Sequence, residues 1–458
     1  MMKRGESMND IIAYLGKRGF RTVEESYYAH IKDWYDWYRN GVDEWHNRTF
    51  YNGIQTVKKT IKSLGMAKTI AETWANLLMN EKVEISTGSE TSDKILQAIL
   101  KDNNFVVQSN RLVELYCALG TGAFVEYLSE GEVRIDYVQA DMIYPLSWDS
   151  RGIHECAFGS RVHTQEGDCI LLQIHTKQGK NYMIENLLIQ DDENGGFKEL
   201  PLPEGVARTV STGTDKPCFQ IVSPNIINNI DLKNPMGISV YANAIDCLKE
   251  VDTTFDALDN EVETGRRMVF LASEMFFSDA DGNQRNVIGE NETILRFIGS
   301  VDDGENTLIH DYSPALRVND LKEALQFQLN LLSEKCGMGT NQFEFTTKGV
   351  KTATEVISED SDLYQTLRKH ELVLESALIS LVEALAYLGS KVGKGFDTPE
   401  ISINFDDSII EDKVSERQQD MTDLANGTFR HEEYRAKWRN ESIEEALANL
   451  PKEADVMP

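Results

Sequence analysis

The stretch ISVYANAIDCLKEVDTTFDALDNEVET, Ile238 to Thr264, contains no Gly and no Pro. Ile238, Tyr241, Ile245, Leu248, Val251, Phe255, Leu258 and Val262 recur at steps of three and four. That period predicts one amphipathic helix of about 27 residues, roughly 40 Å long at about 1.5 Å per residue. Asp246, Glu250, Asp252, Asp256, Asp259, Glu261 and Glu263 fall between the apolar positions, so the expected helix has an apolar stripe and an acidic face. Downstream, Leu316, Val318, Leu321, Leu325, Leu329 and Leu332 mark a second helix, stopped by CGMGTN. A third runs from Val350 to Leu388 without Gly or Pro. Val356, Leu363, Leu367, Leu374, Leu378, Leu381, Leu385 and Leu388 hold its phase. At about 35 residues it is roughly three times the ordinary helix length.

Other segments read differently. Between the first two helices, Met268 to about Ser313 is a strand-rich insert with DADGN and VDDGEN as turns. From about Gly122 to Val222 the apolar period is two. Short strands (AFVEYL, EVRIDYV, ECAFGSRV, CILLQIHT, NYMIENLLI, CFQIVS) alternate with turns such as SEGE, SWDSRG and TKQGKN, which predicts an antiparallel β module. The first 80 or so residues read as helical. Their aromatic cluster from Tyr27 to Tyr51 places Ile31, Trp34, Tyr35 and Tyr38 at helical spacing, so packing inward is the favoured reading over stacking on sugars or bases. A short strand is expected at Val83–Ile85 and another at ISINF, with charged helices after Asp407. The lysines of TVKKTIKSLGMAKT, Thr56 to Thr69, read as one solvated helix face rather than a nucleic-acid contact. The class expected is α+β.

Totals narrow the function. The chain has 458 residues, 75 acids against 46 bases and a net charge of −29, which argues against tight nucleic-acid binding, because neutralising phosphate needs Lys and Arg. The start is mixed in character and resembles no signal peptide. No stretch is expected to reach the roughly 18 apolar residues of a membrane span. Cys117, Cys156, Cys169, Cys218, Cys247 and Cys336 are scattered, form no CxxC, and read as buried thiols, not disulfides or a zinc site. No metal or other cofactor is expected.

Catalytic patterns fail one by one. TTKGVKTAT, Thr346 to Thr354, lies between two helices and has the composition of a phosphate loop, but it holds one glycine at the wrong spacing. DDENGG and DADGN are incomplete calcium loops and read as turns. There is no H-E-x-x-H and no G-x-S-x-G. His30, His46 and His370 sit in helical sequence and read as packed or solvated. No enzyme is expected.

The order of parts, and several stretches, resemble the portal proteins of tailed bacteriophages, in particular the family of long-tailed phages of Gram-positive hosts. The stretches are SLGMAKTIAETWANLLMNEKVEI (Ser63–Ile85), RIDYVQADMIYPLSWDSRGIHECAF (Arg134–Phe158), GISVYANAIDCLKEVDTTFDALDNEVETGRRMVFL (Gly237–Leu271) and INFDDSIIEDKVSERQQDMTDLANGTFRHEEYR. The resemblance implies a ring, usually of twelve subunits, at one capsid vertex, the channel for packaging and ejecting double-stranded DNA. It implies a wing at 1–236 holding the β module at about 122–222, rejoined by a long helix at 355–389 and a strand within 390–406. Stem helices would occupy 237–267 and 315–336, a clip 268–314, a tunnel loop 337–354 and a short crown 407–458. In the tunnel loop, Thr346, Thr347, Lys348, Lys351 and Thr352 would face passing DNA, the lysines touching phosphate briefly beside an otherwise acidic lumen. In the clip, Asp279, Asp281, Asn283, Arg285, Asp302 and Asp303 would meet the terminase and later the head–tail adaptor. Implied partners are further copies of the chain, the terminase large subunit, the adaptor, capsid and scaffold proteins, and DNA without sequence preference, but no membrane. The implied location is the virion, with host cytoplasm during assembly. Two other readings compete: another virion component such as a capsid or head-closure protein, and an acidic carbohydrate-binding hydrolase.

Overall fold

The computed structural model describes residues 6–51, 53–81, 83–164, 167–192, 196–265, 268–272, 276–278, 284–286, 294–297, 309–344, 353–405, 420–424, 426–439 and 443–448. Its class is α+β.

The chain begins with α1 (Glu6–Lys17) and α2 (Glu25–Tyr38). Helix α2 buries Tyr27, Tyr28, Ile31, Trp34 and Trp37, so the aromatic cluster is largely core. The short helix α3 (Asp43–His46) then leads into a hairpin of β1 (Asn47–Tyr51) and β2 (Thr56–Thr60). This corrects two expectations: the first 80 residues are not all helical, and the lysine-rich stretch starts as a strand. Thr56, Val57 and Thr60 are β-branched, and Gly53 in the connection takes φ +93, a conformation that suits glycine. Helix α4 (Met66–Leu78) follows, then β3 (Glu84–Ser86), α5 (Glu90–Asp102) and α6 (Phe105–Leu119).

The β module is antiparallel and forms two sheets. Strands β4 (Gly122–Ser129) and β5 (Glu132–Gln139) turn through Glu130 and Gly131, both at positive φ, as a two-residue hairpin requires. They continue into β6 (Ile143–Asp149), β7 (Gly152–Thr164), β8 (Gly167–Gln178), β9 (Asn181–Asp192), β10 (Gly196–Leu200), β11 (Thr209–Ser211) and β12 (Phe219–Val222). One sheet runs β12-β4-β5; the other runs β10-β9-β8-β7-β6, with β11 also on β9. Arg18 joins α1 to the larger sheet through Glu185 at 2.7 Å.

Helix α7 is shorter than the periodicity predicts. It spans Ile245–Thr264, 20 residues, and a 3-10 turn precedes it at Ala242–Ala244. Ile238, Val240 and Tyr241 are buried, but as part of a segment pressed against the end of α6. There Val240 N–H donates to the Cys117 carbonyl at 2.9 Å, and the Tyr241 hydroxyl donates to the Trp34 carbonyl at 2.9 Å. Apolar residues of a docked loop continued the helical count by coincidence. Gly120, in the left-handed region at φ +87, and Gly237 are in backbone contact here; a Cβ on Gly120 would sit 2.3 Å from the Gly237 carbonyl oxygen.

Strands β13 (Met268–Ala272), β14 (Phe276–Ser278), β15 (Gln284–Asn286), β16 (Ile294–Phe297) and β17 (Ile309–Tyr312) form the insert. Its central strand β13 pairs parallel with β16 and antiparallel with β17. Then come α8 (Val318–Lys335) and α9 (Ala353–Lys391), the latter 39 residues long. Helix α9 packs across β12, β4 and β5 and against α4. Strand β18 (Ser402–Asn404) pairs antiparallel with β3, returning the chain to the N-terminal body. Residues 420–424 are helical, and further along the described residues come α10 (His431–Arg439) and α11 (Ile443–Ala448).

Helix α9 also corrects the membrane expectation. Between Asp362 and Lys391 an 18-residue window has mean hydropathy 1.7, long and apolar enough to cross a bilayer. Half of that window is buried inside the protein, with Leu374, Leu378, Leu381, Val382 and Leu385 in the core. Trp74 marks where this core converges: its indole N–H donates to the Cys336 carbonyl at 3.3 Å, and its ring lies 4.8 Å from that of His370 on α9. All six cysteines are free thiols, five of them buried.

Candidate functional site

Helices α7 and α8 pack as a pair, joined at one end by the strand-rich insert. Leu248 and Val251 on α7, and Leu325, Leu329 and Leu332 on α8, are buried. Midway, the Thr254 hydroxyl donates to Gln328 Oε1 at 2.7 Å. At the insert end, Arg317 grips Glu261: Nη2 to Oε2 at 2.7 Å, Nε to Oε1 at 3.3 Å, with the Arg317 backbone N–H adding a third bond at 3.1 Å. The hydrogen-bonded guanidinium holds the Glu261 carboxyl below the usual carboxylate range. Gly265 makes the close crossing possible, since a Cβ there would lie 2.1 Å from Leu316 Cδ2.

The seven carboxylates of α7 do not form one bare acidic face. At about 100° per residue they spread round the helix, and the tertiary structure uses most of them. Asp252, Asp256 and Asp259 make one stripe at helical spacing, which the hairpin and the residues after it cover. Asp252 is buried and accepts from Ser63 Oγ at 2.8 Å, Leu64 N–H at 3.0 Å and His46 Nε2 at 3.3 Å. Asp256 takes Lys59, and Asp259 takes Lys62 at 2.5 Å. Glu261 faces α8 through Arg317. Asp246, Glu250 and Glu263 stay exposed. The lysines read as a solvated helix face are thus partly clamps on the acidic helix. The shared spacing of Lys59/Lys62 and Asp256/Asp259, three residues each, was the available signal. It was faint, because partners about 200 residues apart cannot be matched by local pattern.

The end of α8 and the start of α9 frame the Thr/Lys loop. Gly337 and Gly339 turn the chain at φ +76 and +71 around the buried Met338. A Cβ at Gly337 would lie 2.9 Å from Thr366 Cγ2 on α9, so the loop base is pressed onto that helix. Gln326 Nε2 donates to the Phe343 carbonyl at 3.2 Å and ties the residues before the loop to α8. His370, near that base, accepts from Asn225 N–H at 2.9 Å through Nδ1, and burial pushes its pKa down to about 4. A neutral, packed histidine matches the sequence reading. Thr346, Thr347, Lys348, Lys351 and Thr352 lie outside the described residues, as do Asp279, Asp281, Asn283, Asp302 and Asp303. Arg285 lies on β15.

No group of His, Cys, Asp or Glu among the described residues is arranged to hold a metal ion. The site consists of long braced helices, a strand-rich insert at one end and a loop at the other. The family model described as phage portal protein, SPP1 Gp6-like, matches residues 21–450.

The chain belongs to the phage portal protein family.

No curated protein matches it. The match spans the N-terminal body, both helices of the braced pair, the insert, α9 and α10, so family membership covers nearly the whole architecture. It replaces the capsid and head-closure readings with the portal one. Portal proteins are structural components of the phage capsid vertex, in keeping with a site built from packing and ion pairs.

Proposed function

We propose that this portal subunit assembles into a ring, usually of twelve copies, whose central channel passes double-stranded DNA during packaging and ejection. The observation that carries the reading is the family match over 21–450, joined to a helix pair braced along its length. In this reading α7 and α8 are the stem, within 237–267 and 315–336. The insert at 268–314 is the clip, which meets the terminase and then the head–tail adaptor. Residues 1–236, with α9 and β18, are the wing, and the segment from 407 is a short crown. The loop at 337–354 projects into the channel, where Lys348 and Lys351 give passing phosphates a weak hold. No catalytic step is assigned to this chain.

The channel needs little attraction. A surface with a strong excess of acids repels phosphate and limits adhesion to moving DNA. The exposed Asp246 and Glu250 on α7 provide such charge. Negative-stain microscopy of the purified chain tests the proposal. Rings with a central hole of duplex width are expected. A compact monomer at every concentration would overturn it.

A further inference from the structure

The β1–β2 hairpin has two faces with different fates. Lys59 reaches Asp256 on α7, and Val57 is the one residue of the hairpin strands that is not fully exposed. Because side chains alternate along a strand, the cross-strand register puts Arg48, Phe50, Val57 and Lys59 on the helix side. Asn47, Thr49, Tyr51, Thr56, Lys58 and Thr60 then form the outer face, and all six are exposed. Among the described residues Lys58 has no carboxylate partner, and the Tyr51 side chain is 68% exposed. A two-stranded hairpin is marginal in water by itself; this one is held on one face only.

Helix α8 carries a matching stripe. Asp320, Glu323, Phe327 and Glu334 follow one another at helical spacing on the side away from α7, and Phe327 is 70% exposed. Adjacent positions on a helix face lie about 6 Å apart. Lys58 and Tyr51, diagonal neighbours across the hairpin, lie about 7 Å apart. One surface offers a cation beside an aromatic ring; the other offers an anion beside an aromatic ring at similar spacing.

We propose that the outer face of the hairpin docks on the α8 stripe of a neighbouring copy of this chain, with Lys58 toward Glu323 and Tyr51 toward Phe327. The hairpin then straps its own α7 to the next subunit's α8. This rests on the ring reading and names the contact that closes it.

The test is a charge swap followed by native mass spectrometry and light scattering across a concentration series. Lys58→Glu and Glu323→Lys should each raise the concentration needed for assembly about fivefold or more, and the double variant should restore it. Each variant should melt like wild type at low concentration, because neither residue has an ion-pair partner among the described residues. Single variants that assemble like wild type, a double variant that does not recover, or a Lys58→Glu defect confined to duplex DNA binding overturn the strap alone. A wild-type chain that never assembles overturns the ring reading and the strap together.

Discussion

The contact between Gly120 and Gly237, where the end of α6 meets the segment before α7, admits no Cβ. In Gly120→Ala the new Cβ would stand 2.3 Å from the Gly237 oxygen, where ordinary contact begins at 3.4 Å, so backbone must move by about 1 Å. That oxygen also accepts the Tyr27 hydroxyl at 2.8 Å, and Gly237 N–H donates to Thr121 Oγ1 at 3.0 Å, so neither side moves freely. Overpacking of this kind costs about 1–3 kcal/mol. Gly120 also has φ +87, which costs an alanine a further 1–2 kcal/mol or so. The expected loss is about 2–5 kcal/mol in total. Urea unfolding followed by tryptophan fluorescence measures it. Two controls separate the contributions. Gly237→Ala, at ordinary φ, keeps only the steric cost. Gly131→Ala has φ +78 with nothing within 4 Å, and keeps only the conformational cost. A Gly120→Ala chain within about 0.5 kcal/mol of wild type would refute the reasoning.

Three further outcomes are expected. Glu126 is fully buried with neither carboxyl oxygen hydrogen-bonded, and burial pushes its pKa well above 4.5. The folded state therefore keeps a proton that the unfolded chain releases, and stability falls as pH rises above about 4.5, by up to about 1.4 kcal/mol per pH unit. Glu126→Gln should flatten that slope between pH 5 and 7, and parallel urea midpoints for the two chains would contradict it. Asp252→Ala leaves Ser63, Leu64 and His46 without their buried acceptor, an expected loss of about 3 kcal/mol; limited proteolysis should cut the hairpin faster, and an unchanged digestion pattern would count against the clamp. Reversing Lys348 and Lys351 to Glu should change DNA packaging or retention while rings still form, whereas unchanged packaging would remove the loop from the DNA path.

Much of the architecture was legible in the sequence because it is local. An apolar residue every three or four positions is enough to specify α8 and α9, and alternation at 122–222 is enough to specify strands. The resemblance to portal proteins likewise rested on stretches readable one at a time. What needed tertiary structure was the fate of charge and the ends of elements. Periodicity cannot tell a helix from an apolar loop pressed against α6, so the apolar period extends α7 seven residues too far at its start, Ile238 against Ile245. A Thr/Val/Lys strand sounds like a helix face until its partner strand is known. The acidic residues of α7 looked alike in sequence, yet Asp252 is buried under the hairpin, Asp256 and Asp259 are clamped by lysines, and Glu261 braces α8. Which carboxylates remain free to meet DNA or a neighbour depends on partners some 55 to 200 residues away in the chain. Only folding brings those partners within hydrogen-bond reach, and no local pattern encodes which will meet.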